Sequence, residues 1–351
     1  MKFSRVVYWW LLLGVLLVYC QIVIGGVTRL TGSGLSITKW EIVTGTLPPM
    51  NAEKWIEEFN EYKATPQYEK LNKGMSLKEF KFIYFWEYFH RLWARMMGFV
   101  FVFPFAWFFA RRKLPSATLK DLGIVILLAA SAASFGWIMV ASGLVNRPWV
   151  NAYKLSIHLL IGIAVFIYLL WSVLKYRLQV FHEKDWSFVA NKYALALIGL
   201  MVIQILFGGW MSGMRAALVY PTWPDIGGHF IPPDVLSLSN WSWSSFVEYD
   251  RSSFVFGLVH FLHRGIAYLI LLLAAHYMLK KDIWANRGII RKSYVIFLLL
   301  LLSQVVIGIV TLLTSVGQIP VLWGVLHQGI AVLVLASLVM HYFYWTRQTI
   351  K

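Results

Sequence analysis

The stretch FKFIYFWEYFHRLWARMMGFVFVFPFAWFF, residues 80–109, decides how this chain is read. It is long enough to cross ~30 Å of hydrocarbon, which takes about 20 apolar residues in a helix. Residues 87–95 within it nevertheless carry Glu87, His90, Arg91 and Arg95 in close succession. Ionisable side chains at membrane depth are costly and face a bundle interior or a cavity. The stretch therefore predicts a membrane helix with lipid on one side and a polar site on the other.

The rest of the chain agrees. Of 351 residues 59% are hydrophobic and 14% are charged, and the mean hydropathy is +0.64. That is more apolar than the ~45–50% of a soluble domain, so the chain is a polytopic membrane protein. The net charge of +16 does not signal nucleic acid, because the basic residues sit mostly at the ends of apolar runs. The lone cysteine, Cys20, lies in the first apolar run and allows no disulfide within the chain and no CxxC motif. The N-terminal run reads as a retained first span, being too long for the apolar core of a signal peptide.

Eight runs are long enough to span: Val6–Val27, Phe82–Ala110, Leu122–Leu144, Ala152–Leu174, Tyr193–Met214, Phe254–Leu279, Tyr294–Thr314 and Val321–Tyr344. With eight spans the basic clusters at 111–113, 175–177, 280–281 and 291–292 fall on one side, together with Lys2 and Arg5. That side is cytoplasmic by the positive-inside rule, and both termini are there. The expected location is the inner, cytoplasmic membrane of a cell. Two long connections, about 28–81 and 215–253, lie on the other side. In the first, NAEKWIEEFNEYKA (51–64) reads as an amphipathic helix with Trp55, Ile56, Phe59 and Tyr62 on one face, lying on the membrane or capping the bundle.

The chain also repeats itself. QIVIGG (21–26) matches QILFGG (204–209), HRLWARMMG (90–98) corresponds to HRGIAYLIL (263–271), and HLLIGIAVF (158–166) matches HQGIAVLVL (327–335). Three matches in one order predict a duplicated four-span unit. Four is even, so both halves insert the same way up and their pseudo-two-fold axis runs along the membrane normal. The fold expected is all-α: eight transmembrane helices as two four-helix bundles, residues 1–190 and 191–351.

Four histidines, His90, His158, His263 and His327, share a depth, one on each even-numbered span and two per half. Unrelated polar core residues would not share depth and repeat position. Imidazole suits zinc, copper and iron. Apart from Glu87, however, the set brings no obvious intramembrane carboxylate, and a porphyrin iron takes two axial imidazoles from facing helices. Two pairs would hold two haems, with Gly98, Gly162, Gly265 and Gly329 allowing close approach of a helix or a macrocycle. His260, one turn from His263, is a neighbour of the same site. His182 and His229 fall in loops, and His276 and His341 near cytoplasmic ends.

Arg91 and Arg264 each follow a site histidine and suit haem propionates. Glu87, one turn from His90, has no carboxylate counterpart in the second half. A haem that only carries electrons needs no base, whereas one that is chemically altered does. The asymmetry assigns catalysis to the first half and a redox relay to the second.

These features resemble the haem A synthase family, in its mitochondrial and proteobacterial-like branch. The resemblance covers nearly the whole chain and rests on GGVTRLTGSGLS (25–36), EYFHRLWARMMG (87–98), GWIMVASGL (136–144), YKLSIHL (153–159), the loop 209–233, FLHRGIAY (261–268) and LHQGIAV (326–332). It implies a membrane oxidoreductase that turns the C8 methyl of haem O into a formyl group, giving haem A for terminal oxidases. It implies substrate haem between His90 and His158, a stable haem b between His263 and His327, and an essential Glu87. Haem O synthase, oxidase assembly factors and a quinone or other redox partner follow as implied partners, and a homo-oligomer stays open. Two features depart from the family: no cysteine pair stands in the first outer loop, and Pro221 stands where the family usually has Asn. The competing readings are a di-haem cytochrome b-like quinol oxidoreductase or electron-transfer protein, and a haem transporter or chaperone.

Overall fold

A computed structural model of the chain describes residues 4–39, 47–143, 147–181, 190–280, 283–284 and 288–347. The expected span end Leu144, His182 and Lys281 lie outside the described residues. Among the described residues eight helices are long and apolar enough to span a membrane. They are α1 (Arg5–Leu30), α4 (Leu77–Ala110), α5 (Ser116–Gly143), α6 (Ala152–Phe181), α7 (Lys192–Gly213), α10 (Ser253–Met278), α11 (Ile289–Leu313) and α12 (Val321–Trp345). Four shorter helices belong to the outer connections: α2 (Ala52–Lys63), α3 (Pro66–Leu71), α8 (Pro233–Leu236) and α9 (Trp243–Val247).

Local chemistry sets the helix ends. Ser4, Asn51, Thr65, Asn191 and Ser252 each accept a backbone N–H two or three residues into the helix they cap. α4 opens with a capping box between Ser76 and Glu79. It thus starts at Leu77, five residues before the apolar run suggested, and His90 lies deeper from its helix end than expected. Capping chemistry set that boundary, and hydropathy could not show it. Pro104 inside α4 removes the amide that would bond the Val100 carbonyl. The indole N–H of Trp10 on α1 takes that carbonyl instead, at 3.0 Å.

In the first half α4 packs on α1, α1 on α6, and α6 on α5. In the second half the corresponding pairs recur: α10 on α7, α7 on α12, and α12 on α11. The halves meet through α6 against α7 and α1 against α12, which are equivalent contacts under the same exchange. Gly26 faces the Gln328 side chain of α12, while Gly209 faces Ser156 of α6. The second glycine of each GG doublet thus serves the junction between halves. Gln328 also donates to the Ile22 carbonyl at 2.7 Å. Arg29, at the end of α1, donates to the carbonyls of Ser212 and Gly213 at 2.8 and 3.0 Å, which caps α7 from the other half.

The first outer connection packs α2 and α3 onto the start of α4 through Phe59, Tyr62, Phe80, Ile83 and Tyr84, with Trp55 beside them. Ile56 departs from the expected face and is 52% exposed. The second connection is pinned where the Tyr249 hydroxyl accepts the Ala152 amide and Arg147 pairs with Asp250.

Candidate functional site

All seven site residues read from the sequence line one cavity of about 1310 Å³: Glu87, His90, Arg91, His158, His263, Arg264 and His327. Its volume exceeds the ~300–1,000 Å³ of a single small-ligand pocket. Helices of both halves line it, so the two histidine pairs share one interior.

Each histidine sits on a glycine of the preceding spanning helix. A Cβ added at Gly25 would meet His90 Cε1 at 3.1 Å, and one at Gly136 would meet His158 Cε1 at 3.1 Å. The corresponding distances are 3.3 Å for Gly208 and His263, and 2.7 Å for Gly308 and His327. Four residues before each glycine, one helical turn away, stands a second seat residue. Gln21 Nε2 lies 3.2 and 3.3 Å from the two ring nitrogens of His90. Gln204 and Gln304 place Nε2 3.3 Å from Nε2 of His263 and His327. The fourth seat has Ala132 instead, so His158 lacks a carboxamide neighbour there. The segments are QIVIG (21–25), AASFG (132–136), QILFG (204–208) and QVVIG (304–308).

The glycines singled out from sequence behave differently. Gly98 and Gly162 line the cavity with open space where a Cβ would go, and Gly329 packs against Tyr19. The glycines under the histidines were missed. Their signal is the Gln-x3-Gly spacing in the first, fifth and seventh spans, of which the repeat matches only the first and fifth.

The rings of His263 and His327 have centroids 6.5 Å apart and planes inclined at 68°. Two metal–imidazole bonds of ~2.0 Å, with half a ring at each end, come to roughly 6 Å. His158 lies near enough to His90 to act on it electrostatically. Nδ1 of His158, His263 and His327, and the amide oxygens of Gln21, Gln204 and Gln304, are buried without a hydrogen-bond partner among the described residues. Buried polar atoms are ordinarily paired. Paired imidazoles, orphaned polar atoms and a large apolar cavity together fit bis-histidine haem.

Glu87 is 3% exposed and its carboxylate is fully engaged. Oε2 accepts from the Ser36 amide at 2.7 Å, the Ser36 hydroxyl at 2.8 Å and the Ile37 amide at 2.9 Å. Oε1 pairs with Arg91 Nη2 at 2.5 Å. Four donors converge on this one carboxylate and fix its position. The segment after α1, released by Gly32 at φ 71°, folds back over α4 to make this nest.

In the second half His260 takes the position of Glu87, three residues before the site histidine. It repeats the contact to the arginine four residues on: its Nδ1 accepts from Arg264 Nη2 at 3.1 Å, and Nε2–H donates to the Ala216 carbonyl at 2.8 Å. Both nitrogens are used, which leaves a neutral imidazole with no proton-transfer capacity to spare. Arg264 also donates to the Asp225 carbonyl at 2.6 Å. His341, fully buried at the opposite end, contacts Tyr277 and Ser293 and does not line the cavity.

Residues 8–339 match the model of a family described as cytochrome oxidase assembly protein. The chain is 37% identical over 328 residues to the haem A synthase of Wolbachia pipientis subsp. Culex pipiens, covering 93% of this chain and 94% of the relative. It is 36% identical over 343 residues to the haem A synthase of Flavobacterium psychrophilum, covering 96% and 97%. It is 38% identical over 336 residues to that of Parvibaculum lavamentivorans, covering 95% and 92%.

The chain belongs to the haem A synthase family.

The family match spans all four histidine seats and the Glu87 nest, so the whole cavity falls within it. Arg29 adds a feature the sequence reading passed over: it lines the cavity of this haem A synthase family member, and its Nε has no hydrogen-bond partner among the described residues.

Proposed function

We propose that the protein is a haem A synthase: it oxidises the C8 methyl of haem O to a formyl group, and the product serves terminal oxidases. Family membership supports this reading. The observation that carries it is the exchange of Glu87 for His260 at one otherwise repeated site.

In this reading His90 and His158 hold the substrate, and His263 and His327 hold a resident haem b. Residues 1–190 form the substrate half and 191–351 the resident half. A bound haem b supplies one-electron redox chemistry. The chain's own residues do the rest. Glu87, fixed by Ser36, Ile37 and Arg91, stands one turn from His90 as the base that takes a proton from the reacting methyl or its attacking water. Arg91 balances the carboxylate and stays at the cavity wall, where it and Arg264 suit propionates. His90 is steadied by the Gln21 carboxamide, whereas His158 has Ala132 in that place and no carboxamide beside it. The basic ends of α4, α6 and α11 support a cytoplasmic placement of both termini in a cell's inner membrane. Haem O synthase upstream, oxidase assembly downstream and a quinone-type electron partner are part of the same proposal.

A di-haem electron carrier would account for four histidines but leaves the built carboxylate nest without a use. The experiment is haem extraction from cells that supply haem O, with wild type and with Glu87→Gln. Wild type should yield a haem with the mass of haem A. Glu87→Gln should leave haem O unconverted while keeping haem b. Conversion undiminished in Glu87→Gln would remove the base assignment.

A further inference from the structure

The two halves differ in one side of their helix rings. In the second half the ring α10–α7–α12–α11 closes, because α11 packs back on α10. The Tyr294 hydroxyl of α11 donates to the Ala274 carbonyl of α10 at 2.6 Å, and Tyr277 stacks edge-on against Tyr294. In the first half the ring α4–α1–α6–α5 stays open: α4 and α5 do not form a packed pair among the described residues. Aligned on His90 and His263, α4 has Pro104 where α10 has Tyr277; aligned on the seat glycines Gly136 and Gly308, α5 has Leu122 where α11 has Tyr294. The pair that closes the second ring is absent from the first. α4 and α5 are also the least buried spans, with 6% of the apolar window buried in each against 22% or more in the other six.

The open side leads to the site. Val102 on α4 and Trp137 on α5 line the cavity while 51% and 49% exposed. Small residues stand on both helices here: Ala94 and Gly98 on α4 and Ala130 and Ala133 on α5 are exposed and line the same cavity. Small residues on membrane helices ordinarily draw two helices together; here they border a gap. Ala94 is one turn from His90, and Ala133 is within one turn of Gly136, the seat of His158. The buried Nδ1 of His158, on the wall of the same cavity, has no hydrogen-bond partner among the described residues.

We propose that the α4–α5 gap is a lateral slot through which a prenylated porphyrin passes between the bilayer and the first histidine pair, its isoprenoid tail lying along the small-residue rim. This rests on the haem O reading above. An isoprenoid chain partitions into hydrocarbon at about 0.8 kcal/mol per CH₂, so a substrate carrying one resides in the membrane and meets this opening without crossing water. The closed second ring suits a haem that stays.

The test uses the full chain in lipid nanodiscs, mixed with vesicles carrying haem O. Haem O uptake is followed by extraction and chromatography, with haem b content measured in the same samples. Ala130→Trp and Ala133→Trp should slow haem O uptake at least tenfold and leave haem b unchanged. Leu127→Trp, on the exposed face of α5 outside the cavity, should take up haem O like wild type. In a Cys20→Ala background, Gly98→Cys with Ala133→Cys joined by a reducible bis-thiol crosslinker should stop uptake, and reduction should restore it, which separates blockage from misfolding. Uptake unaffected by both the tryptophans and the crosslink would overturn the slot while leaving the functional reading standing. Links formed between copies instead of within one, with uptake unchanged, would make the gap an interface and also overturn it. Wild type that takes up no haem O at all would bring down the functional reading and the slot together.

Discussion

A methyl group at Gly308 would sit 2.7 Å from His327 Cε1, and one at Gly208 would sit 3.3 Å from His263 Cε1. The first contact requires something to move; the second asks for a few tenths of an ångström. Gly308→Ala should therefore lower haem b retention severalfold and disturb its low-spin spectrum, while Gly208→Ala shifts the spectrum with little loss. Optical and electron paramagnetic resonance spectra of the purified variants check this, and equal effects would contradict the seat geometry. At Glu87 the neutral isostere keeps the shape and loses the charge. Glu87→Gln should cut conversion of haem O by about 10²–10⁴-fold, the usual worth of a positioned base. It also breaks the ion pair with Arg91, so thermal unfolding should show a loss of about 1.5–3 kcal/mol, the worth of a hydrogen bond to a charged group. The residues that matter most were legible in the sequence, because an ionisable group in an apolar run is conspicuous. The four seat glycines were not, because glycine is common in membrane helices, and only the contact shows which ones carry an imidazole.

The outer elements hold the site from above, and one of them titrates. Asp225 has its carboxyl held below the usual range by the Gly228 backbone N–H and then by the Thr222 hydroxyl. Its backbone carbonyl anchors Arg264. A depressed folded value means that the loop gains stability from the ionised form above the ordinary aspartate pKa of about 4. That gain is lost as pH falls through the depressed value. The protection of the Gly228 amide, whose N–H bonds Asp225 Oδ1 at 2.7 Å, relative to its intrinsic exchange rate should fall on acidification in wild type and stay flatter with pH in Asp225→Asn. Within the membrane, Trp10→Phe should orphan the Val100 carbonyl left by Pro104 and cost about 1–3 kcal/mol, read by thermal unfolding. The positions of the eight spans followed from hydropathy, and the helix ends did not. The start of α4 at Leu77 depends on a capping box in the outer connection, and the nest for Glu87 depends on how that connection folds back. Neither has a hydropathy signature.

At the scale of the whole molecule, the repeated helix pairs and the GG doublets show what duplication kept, with one glycine under a histidine and one at the junction. Arg29 is what duplication did not keep, since its repeat position is Ser212, the residue whose carbonyl it binds. Arg29→Met should lose two charge-assisted bonds between the halves, each worth about 1.5–3 kcal/mol, and lower the melting temperature of the haem b-loaded protein. An unchanged melting temperature would mean that the halves do not depend on this cap. The duplication was readable from three short matches. The open side between α4 and α5 was not, because it is a missing contact, and a sequence repeat signals only what is present. The measurement that tests the account most directly is haem analysis of cells supplying haem O, with and without this protein, by chromatography and mass. The account predicts that haem A appears only with the protein and disappears with Glu87→Gln, while haem b stays bound in both. Bound haem b with haem O unchanged in the presence of the wild-type protein would contradict it.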